Sequence, residues 1–110
     1  QKGKELLELE NPPTAIISSN NLMTLGLIYA ISEKGLKIPQ DISVISFDDM
    51  EWFKYFSPPL TAIYQPSYEL GKSAGALLIE RLKRRRKKPK EIILPTKLII
   101  RESCSTPKNL

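Results

Sequence analysis

Between Ala15 and Phe47 the sequence leaves room for little but one arrangement of the backbone. A short apolar run, Ala15 to Ser18, and a second, Ser43 to Phe47, flank a helix-forming segment from about Leu22 to Lys34. Asn20 or Asn21 is placed to cap the helix start, and Lys34 with Gly35 suits its end. The order strand, helix, strand with short connections is a βαβ unit, whose right-handed crossover makes the strands parallel. The fold class that follows is α/β, a parallel sheet flanked by helices.

Parallel strands bring both carboxyl ends to one edge of the sheet, where open α/β sheets bind their ligands. Asn20 follows the first strand, and Asp48 and Asp49 follow the second. Taken singly, Asn20 is a helix cap and either aspartate a turn former; their convergence makes them candidates for binding. Beyond them come Trp52, Phe53, Tyr55 and Phe56, then Pro58 and Pro59, then an extended segment from Thr61 to Tyr64. Large rings crowded outside regular structure line an interface or a pocket. The helix is apolar on nearly every side: Leu22, Leu25, Gly26 and Tyr29 make one stripe, and Met23, Leu27, Ile28, Ala30 and Ile31 cover most of the remainder. Such a helix is buried on more than one side, as a central core element or against another subunit.

Composition excludes several functions. With 110 residues, 41 % of them hydrophobic, the chain fits one domain with a modest core. No run approaches membrane-spanning length and no signal-peptide pattern opens the chain, so a soluble, cytoplasmic protein without membrane contact is expected. One cysteine, Cys104, excludes an internal disulfide and a zinc cluster, and the chain has no histidine. Without a histidine base, a phosphate-binding loop or a dinucleotide-binding glycine turn, no enzyme activity, no cofactor and no metal are expected.

Lys2 to Glu10 reads as the end of a helix, broken by Asn11, Pro12 and Pro13. After Gln65, Pro66 and Ser67 open an amphipathic helix to about Arg84, with Leu70, Ala74, Leu77 and Leu78 on one face and Gly71 allowing close packing. The ten residues Arg81 to Lys90 hold eight of the seventeen basic residues, so the net charge of +5 is concentrated there. Such a run can bind nucleic acid through counterion release, but as the solvated end of a helix it needs no partner. Ile92 to Leu94 and Lys97 to Ile100 are β-prone around Pro95, and a polar tail is expected from Ser103.

The stretch from Pro13 to Cys104 resembles the lactose-repressor and galactose-repressor family of bacterial transcription regulators. The resemblance rests on the ordered series of the first strand with its asparagine turn, the helix, IPQDISVISFDD, SPPLTAIYQP and LPTKLIIRES. It implies part of a periplasmic-binding-protein-like (type I) two-lobed fold, with residues 1–104 as the C-terminal part of an effector-binding and dimerisation domain and 105–110 as a tail. A small-molecule effector, a sugar or related metabolite, is the implied ligand, and the implied partners are a second copy and a DNA operator reached through a headpiece absent from this chain. Asn20 and Asp48 match residues that hydrogen-bond effector hydroxyls, Gln65 sits at a crossover strand beside the same cleft, and Trp52 stacks on a sugar face or fills its own loop. Leu25, Tyr55 and Phe56 match the dimer surface. Two departures alter the pocket: Asn21 stands where aspartate is common, and Ser46 where glycine precedes the aromatic residue. The alternatives are a solute receptor of the same fold and, less favoured, a module binding nucleic acid through Arg81 to Lys90.

Overall fold

The computed structural model describes residues 1–84 and 88–108, in the order α1 (Lys2–Leu7), β1 (Ala15–Ser18), α2 (Asn21–Glu33), β2 (Ser43–Phe47), a 3-10 helix (Glu51–Tyr55), β3 (Thr61–Tyr64), α3 (Ser67–Arg84) and β4 (Lys97–Ile99). They form two compact units, one made of Gln1–Tyr64 with the segment from Leu98 onward, the other of Gln65–Lys97.

In the first unit the expected βαβ crossover is present. β1 pairs parallel with β2, Ala15 opposite Ser43 and Ser18 opposite Ser46, and β2 pairs parallel with β3, Ile45 opposite Thr61. The strand order is β1-β2-β3-β4. β1, expected to be a buried strand, is an edge; Ile16 packs toward the core, and Ile17, on the opposite face of the sheet, is 65 % exposed. α2 runs between the bounds its end signals set: Asn20 caps it, and Gly35 takes φ +71° while Leu36 N–H donates to the Ile31 carbonyl (3.1 Å) and Gly35 N–H to that of Ser32 (3.0 Å). Those paired reverse bonds satisfy carbonyls the helix leaves over, in a backbone state that glycine enters without a Cβ clash.

Two apolar clusters hold this unit together. Leu7, Leu27, Ala30, Ile31, Ile42 and Val44 form the first, between the helices and the sheet, and Phe53, Leu60 and Ala62 the second, under the 3-10 helix. Each fully buried side chain of Ile or Phe size contributes about 1.5–3 kcal/mol.

The closing segment is not the polar tail that its composition suggests. Ser103 is completely buried: its hydroxyl accepts from Thr61 N–H (2.8 Å) and donates to the Val44 carbonyl, while its own carbonyl accepts from Val44 N–H (2.9 Å). A serine can do this because one small group is both donor and acceptor, so it substitutes for sheet pairing between β2 and the start of β3. Ser105 then bonds Ser43 through its backbone, and Lys108 pairs with Asp41. Two residues before Ser103, the Arg101 guanidinium grips Asp49 with both carboxylate oxygens (2.7 and 2.8 Å) and donates to the Leu60 carbonyl (2.6 Å). Both side chains of that pair are less than a fifth exposed.

In the second unit α3 covers the expected span, but within the unit nothing lies within 4 Å of a Cβ placed on Gly71, so that glycine is not a site of close packing there. Ile92 to Leu94 form no strand, as Pro95 interrupts the run and cannot donate to a ladder. Of the basic run, residues 85–87 lie outside the described residues.

Removing the Ser103 hydroxyl strands the Thr61 amide in the core, so Ser103→Ala should cost about 1–3 kcal/mol in urea unfolding. Ser105→Ala, at an exposed hydroxyl, should lie within about 0.5 kcal/mol of the parent; equal losses would show that burial of Ser103 carries no weight. For the clamp, Arg101→Met and Asp49→Leu should each destabilise by roughly 3–5 kcal/mol, since each leaves a shielded charge alone, and the double variant should lose clearly less than their sum. Simple additivity in the same unfolding assay would rule the coupling out.

Candidate functional site

The parallel register sets the geometry of the carboxyl edge. Ser18 and Ser46 are partners, so the turn at Asn20 and the turn at Asp48 each begin two residues beyond a paired position. Asn20 is half-buried and extended (φ −161°); its Oδ1 accepts from Met23 N–H (2.9 Å) and its carbonyl from Thr24 N–H (2.9 Å). The cap role is thus real, and it occupies the oxygen of the side chain while its Nδ2 donors have no hydrogen-bond partner among the described residues. Asp48 is half-buried and has φ +76°, the one positive φ outside glycine among the described residues. Its N–H donates to the Ile63 carbonyl (3.0 Å), which continues the β2–β3 pairing one step past the strand end. A left-handed non-glycine residue costs about 1–3 kcal/mol and persists only where its surroundings hold it.

Those surroundings include a set of buried hydroxyls. Ser18, Thr24 and Ser46 are 5 %, 0 % and 0 % exposed. Thr24 Oγ1 lies against Ser18 Oγ, is 2.7 Å from Ser46 Oγ and 2.8 Å from the Asn20 carbonyl; Ser46 Oγ is 3.1 Å from the Asp48 carbonyl. No buried side-chain nitrogen or oxygen among the described residues lacks a partner.

The two aspartates divide their work. Asp49 is taken up by Arg101, whose pKa is raised by the hydrogen bond to that carboxylate, against the lowering effect of burial. Arg101 was not among the residues singled out from sequence; the available signal was an arginine in a run of apolar residues, LIIRES, where a charge needs a partner.

Trp52 packs edge-on against Phe53 (centroids 4.7 Å apart, 77° between planes) and Phe56 (5.1 Å, 65°), filling its own loop. Phe56, expected as an exposed ring, is half-buried because it turns into this cluster; Tyr55, 75 % exposed, does not. Leu25 is 39 % exposed and shares the outer side of α2 with Leu22 and Tyr29, while Thr24, Leu27, Ala30 and Ile31 face inward. Gln65 opens the second unit directly after β3, where its carbonyl accepts from Ser67 N–H (2.9 Å). Among the described residues no group of three or more His, Cys, Asp or Glu is arranged to hold a metal, and no helix is long and apolar enough to cross a membrane. Chemically, the edge offers amide donors and a carboxylate acceptor, a set suited to recognising hydroxyl-bearing molecules.

Comparison with known proteins agrees with this architecture. Residues 1–104 match the periplasmic binding protein-like domain. The chain is 48 % identical over 79 residues to the HTH-type transcriptional repressor PurR of Vibrio atlanticus, a match covering 72 % of this chain and 24 % of that protein. Among solved structures it is similar to a LacI transcriptional regulator from Bacillus cereus subsp. cytotoxis (TM-score 0.86, 36 % identity, 93 % of this chain and 36 % of that one). It is also similar to a LacI family regulator from Enterococcus faecalis with bound ribose (TM-score 0.80, 38 % identity, 94 % and 39 %). The chain spans about a quarter of the length of the curated relative. With the sheet order, the asparagine and aspartate turns and these likenesses together, the chain belongs to the periplasmic binding protein-like domain family, in the form carried by the lactose-repressor and galactose-repressor regulators.

Proposed function

We propose that this chain is the effector-sensing and self-associating portion of a cytoplasmic DNA-binding transcription regulator that responds to a sugar or related small metabolite. The observation that carries the reading is the meeting of Asn20 and Asp48 at the carboxyl edge of a parallel sheet, in a chain whose relatives are repressors. In this reading residues 1–104 are the sensing and dimerising part and 105–110 its end. Asp48 accepts hydrogen bonds from ligand hydroxyls and Asn20 donates through Nδ2. Binding rather than turnover fits the division of the aspartates, because the second carboxylate is already held by Arg101. Operator DNA would be contacted by a headpiece outside this chain. Ribose, bound by the Enterococcus faecalis regulator, supports a sugar as the first ligand class to test.

Titration calorimetry of the full-length protein with ribose and a panel of other pentoses, hexoses and disaccharides tests the site. Asp48→Ala should weaken the sugar that binds at least about tenfold, through loss of charge-assisted hydrogen bonds of about 1.5–3 kcal/mol each. Unchanged affinity would return Asp48 to a turn former.

Self-association is supported by the outer side of α2, where Leu22 is 75 % and Tyr29 62 % exposed beside Leu25, with Tyr55 adding an exposed ring and Phe56 a half-buried one. Apolar area of this kind gains by being covered. Leu25→Arg should therefore lower the sedimenting mass toward that of a single chain; the parent mass in the variant would exclude Leu25 from the contact.

A further inference from the structure

We propose that Ser18, Thr24 and Ser46 form a hydroxyl relay that holds the Asn20 and Asp48 turns at a fixed spacing, so that Thr24 and Ser46 are positioning residues for effector binding that touch no effector. The inference rests on the site assignment proposed above, and it starts from where the relay ends. One branch reaches the carbonyl of Asn20 through Thr24 Oγ1 (2.8 Å), the other the carbonyl of Asp48 through Ser46 Oγ (3.1 Å), and the two oxygens between them are 2.7 Å apart.

Proton counting shows why the parts act together. Each hydroxyl has one proton to donate. If Ser18 donates to Thr24, Thr24 to Ser46 and Ser46 to the Asp48 carbonyl, every hydroxyl oxygen contact holds one proton and the relay ends on Asp48. If instead both serines donate to Thr24, the Thr24 proton goes to the Asn20 carbonyl. The first arrangement ends on the Asp48 turn and the second on the Asn20 turn, but both run through the Thr24–Ser46 bond, so removing the Thr24 oxygen breaks the link between α2 and β2 in either. A threonine within a helix commonly bonds back to the carbonyl four residues earlier, as Thr24 does to Asn20; the bonds that tie it to β1 and β2 are tertiary. They join the start of α2, where Asn20 is the cap, to the strand that ends in the left-handed Asp48. Because the hydroxyls are shielded from water, a lost partner is not replaced at low cost.

Two readouts on the full-length protein test this. The Asp49 amide shares a peptide unit with the Asp48 carbonyl, so its ¹H–¹⁵N resonance reports the relay without any ligand. Thr24→Val and Ser46→Ala should each shift that resonance and speed hydrogen exchange at the Asp48 amide about fivefold, the equivalent of one hydrogen bond. Thr24→Ser, which keeps the hydroxyl and introduces no bulk, should restore both. An Asp49 resonance and Asp48 exchange rate unmoved by Thr24→Val, or moved equally by Thr24→Ser, would overturn the relay. In calorimetry with ribose, or with another panel sugar that binds, Thr24→Val and Ser46→Ala should each weaken binding about fivefold, and the double variant no more than either alone. Losses that multiply in the double variant would also overturn it. If Asp48→Ala leaves sugar affinity unchanged, the site assignment falls, and the amide readout still decides the relay.

Discussion

Much of the first unit depends on one guanidinium. Arg101 lies in the segment after β4, yet it reaches the residue that follows Asp48 and the residue that precedes β3, holding Asp49 by two bonds and Leu60 by one. Its planar fork matches a carboxylate in a way that a lysine ammonium does not, which makes the grip directional as well as strong. Its backbone N–H also donates to Thr61 Oγ1 (3.0 Å), and two residues on Ser103 enters the core between Val44 and Thr61. The end of the chain thus fixes the loop that carries Asp48. Contacts separated by some fifty residues do this, so the Asp48 turn has its shape only when the whole unit is folded.

α2 serves two purposes. Its inner side supplies Leu27, Ala30 and Ile31 to the main cluster and Thr24 to the hydroxyl relay; its first turn, capped by Asn20, lies at the candidate site; and its outer side leaves Leu22, Leu25 and Tyr29 exposed. In a regulator, a helix that touches both a ligand edge and an association surface is a direct physical route for linking the two. A ligand that pulled on Asn20 would pull on the helix that carries the exposed Leu22, Leu25 and Tyr29. Such coupling requires only that two arrangements of the helix differ in how well each ligand or partner is held.

Ser46 illustrates how a departure from a family pattern acquires meaning. From sequence it is a hydroxyl where glycine is common in the resembling family. In the fold it sits on the inward side of β2 opposite Ser18, shielded from solvent, with Thr24 above it. Its hydroxyl joins the buried set that supports the left-handed Asp48, and its chemistry is read from its partners.

What the sequence by itself determined was everything governed by local pattern. The bounds of β1, β2, β3 and α3 follow from β-prone runs, proline breaks and helix signals, and those of α2 from Asn20 and Gly35, because caps and periodicity act within a few residues of themselves. Parallel strands and a shared edge for Asn20 and Asp48 follow from the handedness of the crossover. Tertiary structure alone decided which strand lay at the edge, that Phe56 turned inward while Tyr55 did not, that Ser103 was core rather than tail, and that Asp49 belonged to Arg101. These depend on contacts between residues distant in the chain, and the identity of a polar side chain says that it needs a partner without saying which one.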